Sequence, residues 1–183
     1  MKTSFKSAFL ALVSAAFLFA GCGAFTQTPQ EKEETANLVT NGIENGDIYI
    51  VIDRIQPRSF PQKETMDGYS ISIKDGILKC YLPYIGRTDT SFLNEDAIAI
   101  DADNVPVTVK TTMNPKGRKC YALLEFSFQN RYNSEILNLT IETYTNGIAY
   151  VKVDSQFRDF INYTGHFESA AAASRGCWTL RAS

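Results

Sequence analysis

The sequence is 183 residues long and nearly balanced in charge, with 18 Lys and Arg against 20 Asp and Glu and a formal net charge of −2 at pH 7. That balance gives nucleic acid and anionic lipid head groups nothing to hold, so nucleic acid is not expected as a partner. The length suits one domain whose core is large enough to stand without disulfide or metal staples.

Lys2 and Lys6 precede an apolar run from Ala8 to Ala20, and the run closes on Ala20-Gly21-Cys22. It is too short to span a bilayer comfortably as a mature helix. A charged start, an apolar stretch and small residues before a cysteine mark a bacterial lipoprotein signal peptide, although Phe19 stands where leucine is commonest. Residues 1–21 are expected to be removed and Cys22 to carry the lipid as the mature N-terminus. Several acyl chains there would exceed the two signals that stable anchoring needs, so the membrane is reached through the lipid and not through the protein surface. Residues 22–28 form the lipidated tether. Its six residues from Gly23 to Thr28 reach at most roughly 20 Å at about 3.3 to 3.6 Å each.

Thr28-Pro29-Gln30-Glu31 combines an N-cap threonine, a proline at the first helical position and a capping-box glutamate, which predicts a helix from Pro29. Ala36, Val39 and Ile43 share one stripe, and Glu31, Glu33 and Glu34 put acid at the positive end of the helix dipole. Gly42 and Gly46 are the candidate stops, with Gly46 the better placed.

From Asp47 onward the pattern is of strands: Ile48–Ile55, a hairpin from Tyr69 to about Tyr84, Ala97–Ile100, Val105–Thr111, Cys120–Phe128, Ile136–Thr143, Ile148–Val153 and Phe157–Tyr163. Asp101–Asn104 and Asn114–Gly117 have the composition of hairpin connections. The expected architecture is mostly β (α+β): one N-terminal helix packed on an antiparallel meander of about eight strands, as a curled sheet or a barrel. Spacing does not choose between the two.

Two turns fix register. Tyr69, Ile71 and Ile73 alternate with Ser70, Ser72 and Lys74, and Asp75-Gly76 supplies the positive φ angles of a type I′ turn. Lys74 then faces Ile77, Ile73 faces Leu78, Ile71 faces Cys80 and Tyr69 faces Leu82, all on one apolar side. Asn146-Gly147 looks the same but a two-residue loop there would set apolar residues against polar ones. A three-residue loop Thr145-Asn146-Gly147 instead pairs Thr143, Ile141 and Leu139 with Ala149, Val151 and Val153, and requires a left-handed residue at Gly147.

The hairpin ends in Leu82-Pro83-Tyr84-Ile85-Gly86-Arg87. With Asp75-Gly76 before it, this stretch resembles the DUF4251 family of Bacteroidetes lipoproteins, whose members carry a D-G turn followed by LPY-x-GR. Asn146-Gly147 and the run Arg158, Ile161, Tyr163 and Gly165 resemble the closing strands of that family, so the likeness covers roughly residues 30–166. It implies a single β-rich domain over 29–166 and carries no activity, ligand or catalytic residue. Bacteroidetes surface-export signals place acidic residues directly after the lipidated cysteine, whereas residues 23–27 here are uncharged. The expected location is therefore the cell envelope, on an outer membrane and facing the periplasm.

Chemistry is narrowed by elimination. One histidine, His166, leaves a histidine triad or a His-rich metal site little to draw on. Cys80, Cys120 and Cys177 have no C-x-x-C spacing. Cys80 and Cys120 fall in phase with apolar neighbours, so they read as buried thiols, with a disulfide between them the lesser alternative. Asp101-Ala102-Asp103-Asn104 opens like a calcium loop but has Pro106 and Thr112 where glycine and glutamate are needed, and reads as a tight turn. Asn138-Leu139-Thr140 and Asn162-Tyr163-Thr164 fit the glycosylation pattern but sit in predicted strands behind a bacterial signal. Phosphate-loop, nucleophile-elbow and zincin motifs are absent from the sequence, and neither a metal nor a cofactor is expected.

Tyr81, Tyr84, Arg87, Tyr121, Tyr150 and Tyr163 are mostly strand-pairing and core residues. A ligand or partner site, if the fold carries one, is expected at Tyr84 and Arg87, where a strand end exposes irregular backbone. Residues 167–183 are Ala and Ser rich and then aperiodic, a tail expected to be poorly ordered. The expected function is that of a lipid-anchored envelope protein, a non-enzymatic binding or structural module whose partner is an envelope protein or a small ligand. The alternatives are a small-ligand carrier or a carboxylate-based hydrolase using Glu125 or Glu142.

Overall fold

The computed structural model describes residues 28–65, 68–88 and 99–169. The signal peptide 1–21, Cys22, the tether as far as Gln27, Ala97 and Ile98 of one predicted strand, and residues 170–183 of the tail lie outside the described residues.

Helix α1 (Pro29–Asn45) starts where the capping residues direct. The Glu31 N–H donates to Thr28 Oγ1 at 3.3 Å and the Thr28 N–H donates to Glu31 Oε2 at 2.7 Å, which satisfies two donors that no intrahelical carbonyl can reach. Of the two candidate stops, Gly46 ends the helix. At φ 69° it lets the Asp47 N–H reach the Gly42 carbonyl (2.9 Å) and its own N–H reach Ile43 (3.4 Å), the paired bonds of a Schellman cap. Val39 and Ile43 are buried, while Ala36 is half-buried.

The second of two units into which the chain divides, Glu33–Ser183, holds the sheet. Its strands are β1 (Ile48–Pro57), β2 (Lys63–Glu64), β3 (Ser70–Lys74), β4 (Ile77–Leu82), β5 (Ile100–Pro106), β6 (Lys110–Met113), β7 (Ala122–Gln129), β8 (Ile136–Thr143), β9 (Ile148–Asp154) and β10 (Ile161–Phe167). The order across the sheet is β5-β4-β3-β1-β10-β9-β8-β7-β6, with β2 on β1. Every ladder is antiparallel, and β10 returns to pair with β1. The choice between sheet and barrel is decided by β5 and β6, the two edges, which are consecutive parts of one segment. Its first half pairs with β4 and its second with β7, with Val107–Val109 between them. The meander thus curls into a half-barrel.

Both turn registers are as expected. Lys74, Ile73 and Ile71 face Ile77, Leu78 and Cys80, and Thr143, Ile141 and Leu139 face Ala149, Val151 and Val153. Gly147 has φ 86°, and Thr35 of α1 stands over it. The core follows the alternation: Ile71, Ile73, Leu78, Leu124, Leu139, Ile141, Val151 and Tyr163 are all 0–2% exposed.

Three expectations are overturned, the first being a single strand over Val105–Thr111, which instead divides between the end of β5 and the start of β6 with Val107–Val109 between them. Asp101–Asn104 is not a turn but the middle of β5, where Asp103 and Asn104 together oppose Lys79. Asn104 takes φ 58°, so its tolerance of the left-handed region serves a bulge and not a reversal. The final strand is Ile161–Phe167, not Phe157–Tyr163, because Ser155–Phe160 is drawn off the ladder by the polar contacts described next. Phe167, one residue past the expected domain end, is buried in the core.

Candidate functional site

At the end of the half-barrel where β4 stops and β8 and β10 begin, polar side chains enter the core. Glu135 and Arg158 form an ion pair with both side chains 1% exposed. Arg158 Nε donates to Glu135 Oε1 at 2.8 Å, a second guanidinium nitrogen donates to Oε2, and Ser155 Oγ also donates to the carboxylate. The Arg158 guanidinium lies 4.7 Å from the centroid of the Tyr84 ring. Tyr84 is itself buried, and its hydroxyl lies 2.8 Å from the Arg87 carbonyl and 3.0 Å from that of Asp159, donating its proton between them. Burial pushes this phenol up to about 12, against the pull of the Arg158 charge. Tyr163 donates to the Pro83 carbonyl at 2.8 Å, and burial lifts its phenol well above 10.

Asn130 closes the same end. Its Oδ1 accepts from the Asp101 N–H (3.0 Å), its Nδ2 donates to the Ala99 carbonyl (3.1 Å), and the neighbouring Arg131 N–H donates to the Asp101 carbonyl (3.0 Å). These bonds hold β5 against the β7–β8 connection. The expected pair therefore divides: Tyr84 is engaged with backbone and with Arg158, while Arg87 is exposed beside it.

The outer face of the sheet carries a different polar group. Glu125, Thr140, Lys152, Asn162 and Gln56 stand side by side on β7, β8, β9, β10 and β1. Glu142, Tyr150 and Thr164 form the adjacent row. Together with Arg118 from the β6–β7 loop they line a depression of about 440 Å³. Its shape follows from side-chain length, since Thr140 and Thr164 are short where Glu125, Lys152, Tyr150 and Arg118 are long. Glu142 is held by Arg118 and by the Tyr144 hydroxyl (3.4 Å), and Glu125 by Lys110 (3.2 Å). Both expected carboxylates thus belong to one surface, each with a cation beside it.

The pattern of a domain of unknown function, DUF4251, matches residues 30–167 of the sequence. The chain belongs to the DUF4251 family. It is similar in structure to a DUF4251 family protein from Bacteroides eggerthii, at 13% identity and a TM-score of 0.49, over 73% of this chain and 87% of that one. No curated protein matches.

The motif residues of this DUF4251 chain work mainly as scaffold. Leu82 is fully buried, the Pro83 carbonyl receives Tyr163, and Gly86 is bare because a Cβ there would lie 2.5 Å from the Tyr84 hydroxyl. Gly165 is needed because β1 bulges at Asp53 and brings the Val51 carbonyl against it. That bulge aims Asp53 at His166, whose Nδ1 is 2.9 Å from Asp53 Oδ2 and whose Nε2 is 3.3 Å from Glu168 Oε1. Partial burial works against the charged imidazole, but the two carboxylates outweigh it and its pKa is raised above 6.5.

Cys80 and Cys120 are free, buried thiols. Burial pushes Cys80 up to about 12 and raises Cys120 as well, which makes both poor nucleophiles. Among the described residues no group of three His, Cys, Asp or Glu is placed to hold a metal ion. Sequence reasoning missed Asn130, Arg118, Lys152 and Gln56, for which no local signal stood out, and it missed Glu135, for which one did. The signal for Glu135 was phase: it stands two residues before Leu137 and in step with Leu139 and Ile141, so alternation already pointed it inward.

Proposed function

We propose that the protein is a lipid-anchored module of the bacterial cell envelope, attached through Cys22 to an outer membrane, facing the periplasm, and binding a small ligand or envelope partner without chemistry of its own. The anchor rests on the Ala20-Gly21-Cys22 lipobox behind its charged and apolar lead. The observation that carries the binding half is the outer-face depression over β7–β10 and β1, where Glu142 and Tyr150 are held in place by their neighbours before anything binds. Arg87, exposed beside the buried Tyr84, is a second contact point for a partner.

Mass spectrometry of membrane-extracted protein tests the anchor. Peptides should begin at lipidated Cys22, and Cys22→Ala should leave an unprocessed or released chain; a mature chain beginning elsewhere overturns it. Protease added to intact cells should leave the domain uncut. For the binding half, the low-mass periplasmic fraction should shift amide resonances of β8, β9 and β10 in the detergent-solubilised chain, whereas shifts confined to other strands would move the site. A carboxylate-based hydrolase is the second reading, favoured by Glu125 and Glu142 sharing one depression. Hydrolysis lost in both Glu125→Gln and Glu142→Gln would raise it to first.

A further inference from the structure

We infer that the outer-face depression binds a neutral polyhydroxylated ligand, a saccharide chain laid across the strands. The inference rests on the proposed reading of this depression as the binding site and adds the ligand's chemistry. Backbone donors and acceptors here are used by the ladders β7–β8–β9–β10–β1. An added peptide strand therefore finds no edge, and any ligand is read by side chains. The lining itself carries compensating charge, with Arg118 and Lys152 against Glu125 and Glu142, and Lys110 beside Glu125 leaves a surplus of only one positive charge, so an ion of either sign gains little from the local field. The polar lining likewise offers little to an apolar molecule.

What the lining does offer is planar, two-pronged hydrogen bonding. The carboxylates of Glu125 and Glu142, the Arg118 guanidinium and the amides of Gln56 and Asn162 each present paired atoms in one plane, the spacing of adjacent ring hydroxyls. Tyr150 adds an apolar surface. It is 46% exposed, and Tyr144 packs against it edge to face at 5.6 Å and 87°, which fixes the ring beside the depression. A pyranose buries its C–H face on such a ring while its hydroxyls turn to the polar groups. Because Glu142 already accepts from Arg118 and Tyr144, little side-chain freedom remains to be lost on binding. The row from Glu125 to Gln56 crosses five strands, roughly 19 Å at about 4.8 Å per strand, which is room for several sugar rings.

Titration calorimetry on the detergent-solubilised full chain tests this. The probes are neutral glucan, mannan and xylan oligosaccharides of increasing length, with an anionic oligogalacturonate and a cationic chitosan oligomer as comparisons. A neutral oligosaccharide should bind more tightly as it lengthens until the five strands are spanned, with affinity nearly independent of salt. Tyr150→Ala and Glu142→Gln should each weaken it at least tenfold, and Phe60→Ala, an exposed aromatic elsewhere, should not. A charged oligomer binding best, with affinity falling steeply in salt but still lost in Tyr150→Ala, overturns the ligand class and leaves the site reading standing. Oligosaccharide binding unchanged by Tyr150→Ala overturns the assignment to this depression. If none of the neutral probes binds, the saccharide inference is wrong, while the site reading is judged separately by the periplasmic amide shifts.

Discussion

Glu135–Arg158 and Glu142–Arg118 are the same chemical pair in opposite surroundings. In the first both side chains are 1% exposed, whereas in the second Glu142 is 29% and Arg118 48% exposed. Inside the half-barrel, the attraction has to offset a desolvation cost of several kcal/mol per ion, so the pair persists only because every prong is used. On the outer face water keeps solvating both groups, and the pair contributes little to folding. The difference separates roles. Where a charge is buried its geometry is committed to the scaffold, and where it is exposed the same geometry is free to meet a ligand.

The largest expected effect breaks or keeps this contrast outright. Glu135→Ala strands the Arg158 charge in the core and should cost about 3 to 5 kcal/mol in urea unfolding. Replacing both partners, as Glu135→Leu with Arg158→Met, should cost less than the single change. If the single variant is as stable as Glu142→Ala, the two pairs do not differ as described.

Tyr84→Phe comes next and sharpens the account of the polar end. It removes one hydroxyl from between the Arg87 and Asp159 carbonyls, which should cost about 1 to 3 kcal/mol. Unfolding of Arg87→Ala should stay within about 0.5 kcal/mol of the parent, since an exposed side chain away from such contacts contributes little. Equal losses in the two variants would show that the Arg87 side chain helps hold this end.

His166 lies between the extremes, its side chain 42% exposed against Asp53 and Glu168. Its pKa is raised on folding above 6.5, so the folded state holds the proton more tightly. The stability it contributes is fully present below the unfolded value and is lost as pH rises through the higher folded one. His166→Asn should remove this pH dependence, as read from urea midpoints across that window; a parent that gains stability over the same rise would have the sign wrong.

Of the two ion pairs the outer one should matter far less. Glu142→Gln should change stability by no more than about 1 kcal/mol, while shifting binding at the depression. A loss comparable to that of Glu135→Ala would make the outer pair structural too.

Local chemistry made much of the fold legible. The capping box of α1, the two-residue turn at Asp75-Gly76 and the three-residue turn ending at Gly147 each depend on a few adjacent residues, and each formed as read. Phase alone gave the inward set on β3, β4, β8 and β9. Asp101–Asn104 misled because turn composition and a bulge draw on the same tolerance of positive φ, and only the partner strand distinguishes them. Of the site, Glu125 and Glu142 were legible as candidate carboxylates, but their union with Lys152, Asn162 and Gln56 depends on registers running through five strands.

The sequence by itself determined the helix and its ends, an antiparallel β-rich chain, the two turn registers and the inward phase of most strands, because those follow from φ preferences and side-chain alternation within short stretches. Only the tertiary structure decided that β10 closes on β1, that one segment passes from β4 to β7, that Arg158 reaches Glu135 beneath Tyr84, and that polar residues from five strands share one depression. Those are pairings between residues far apart in the chain. Their geometry comes from the twist and curl of the whole sheet, which no local run of residues encodes.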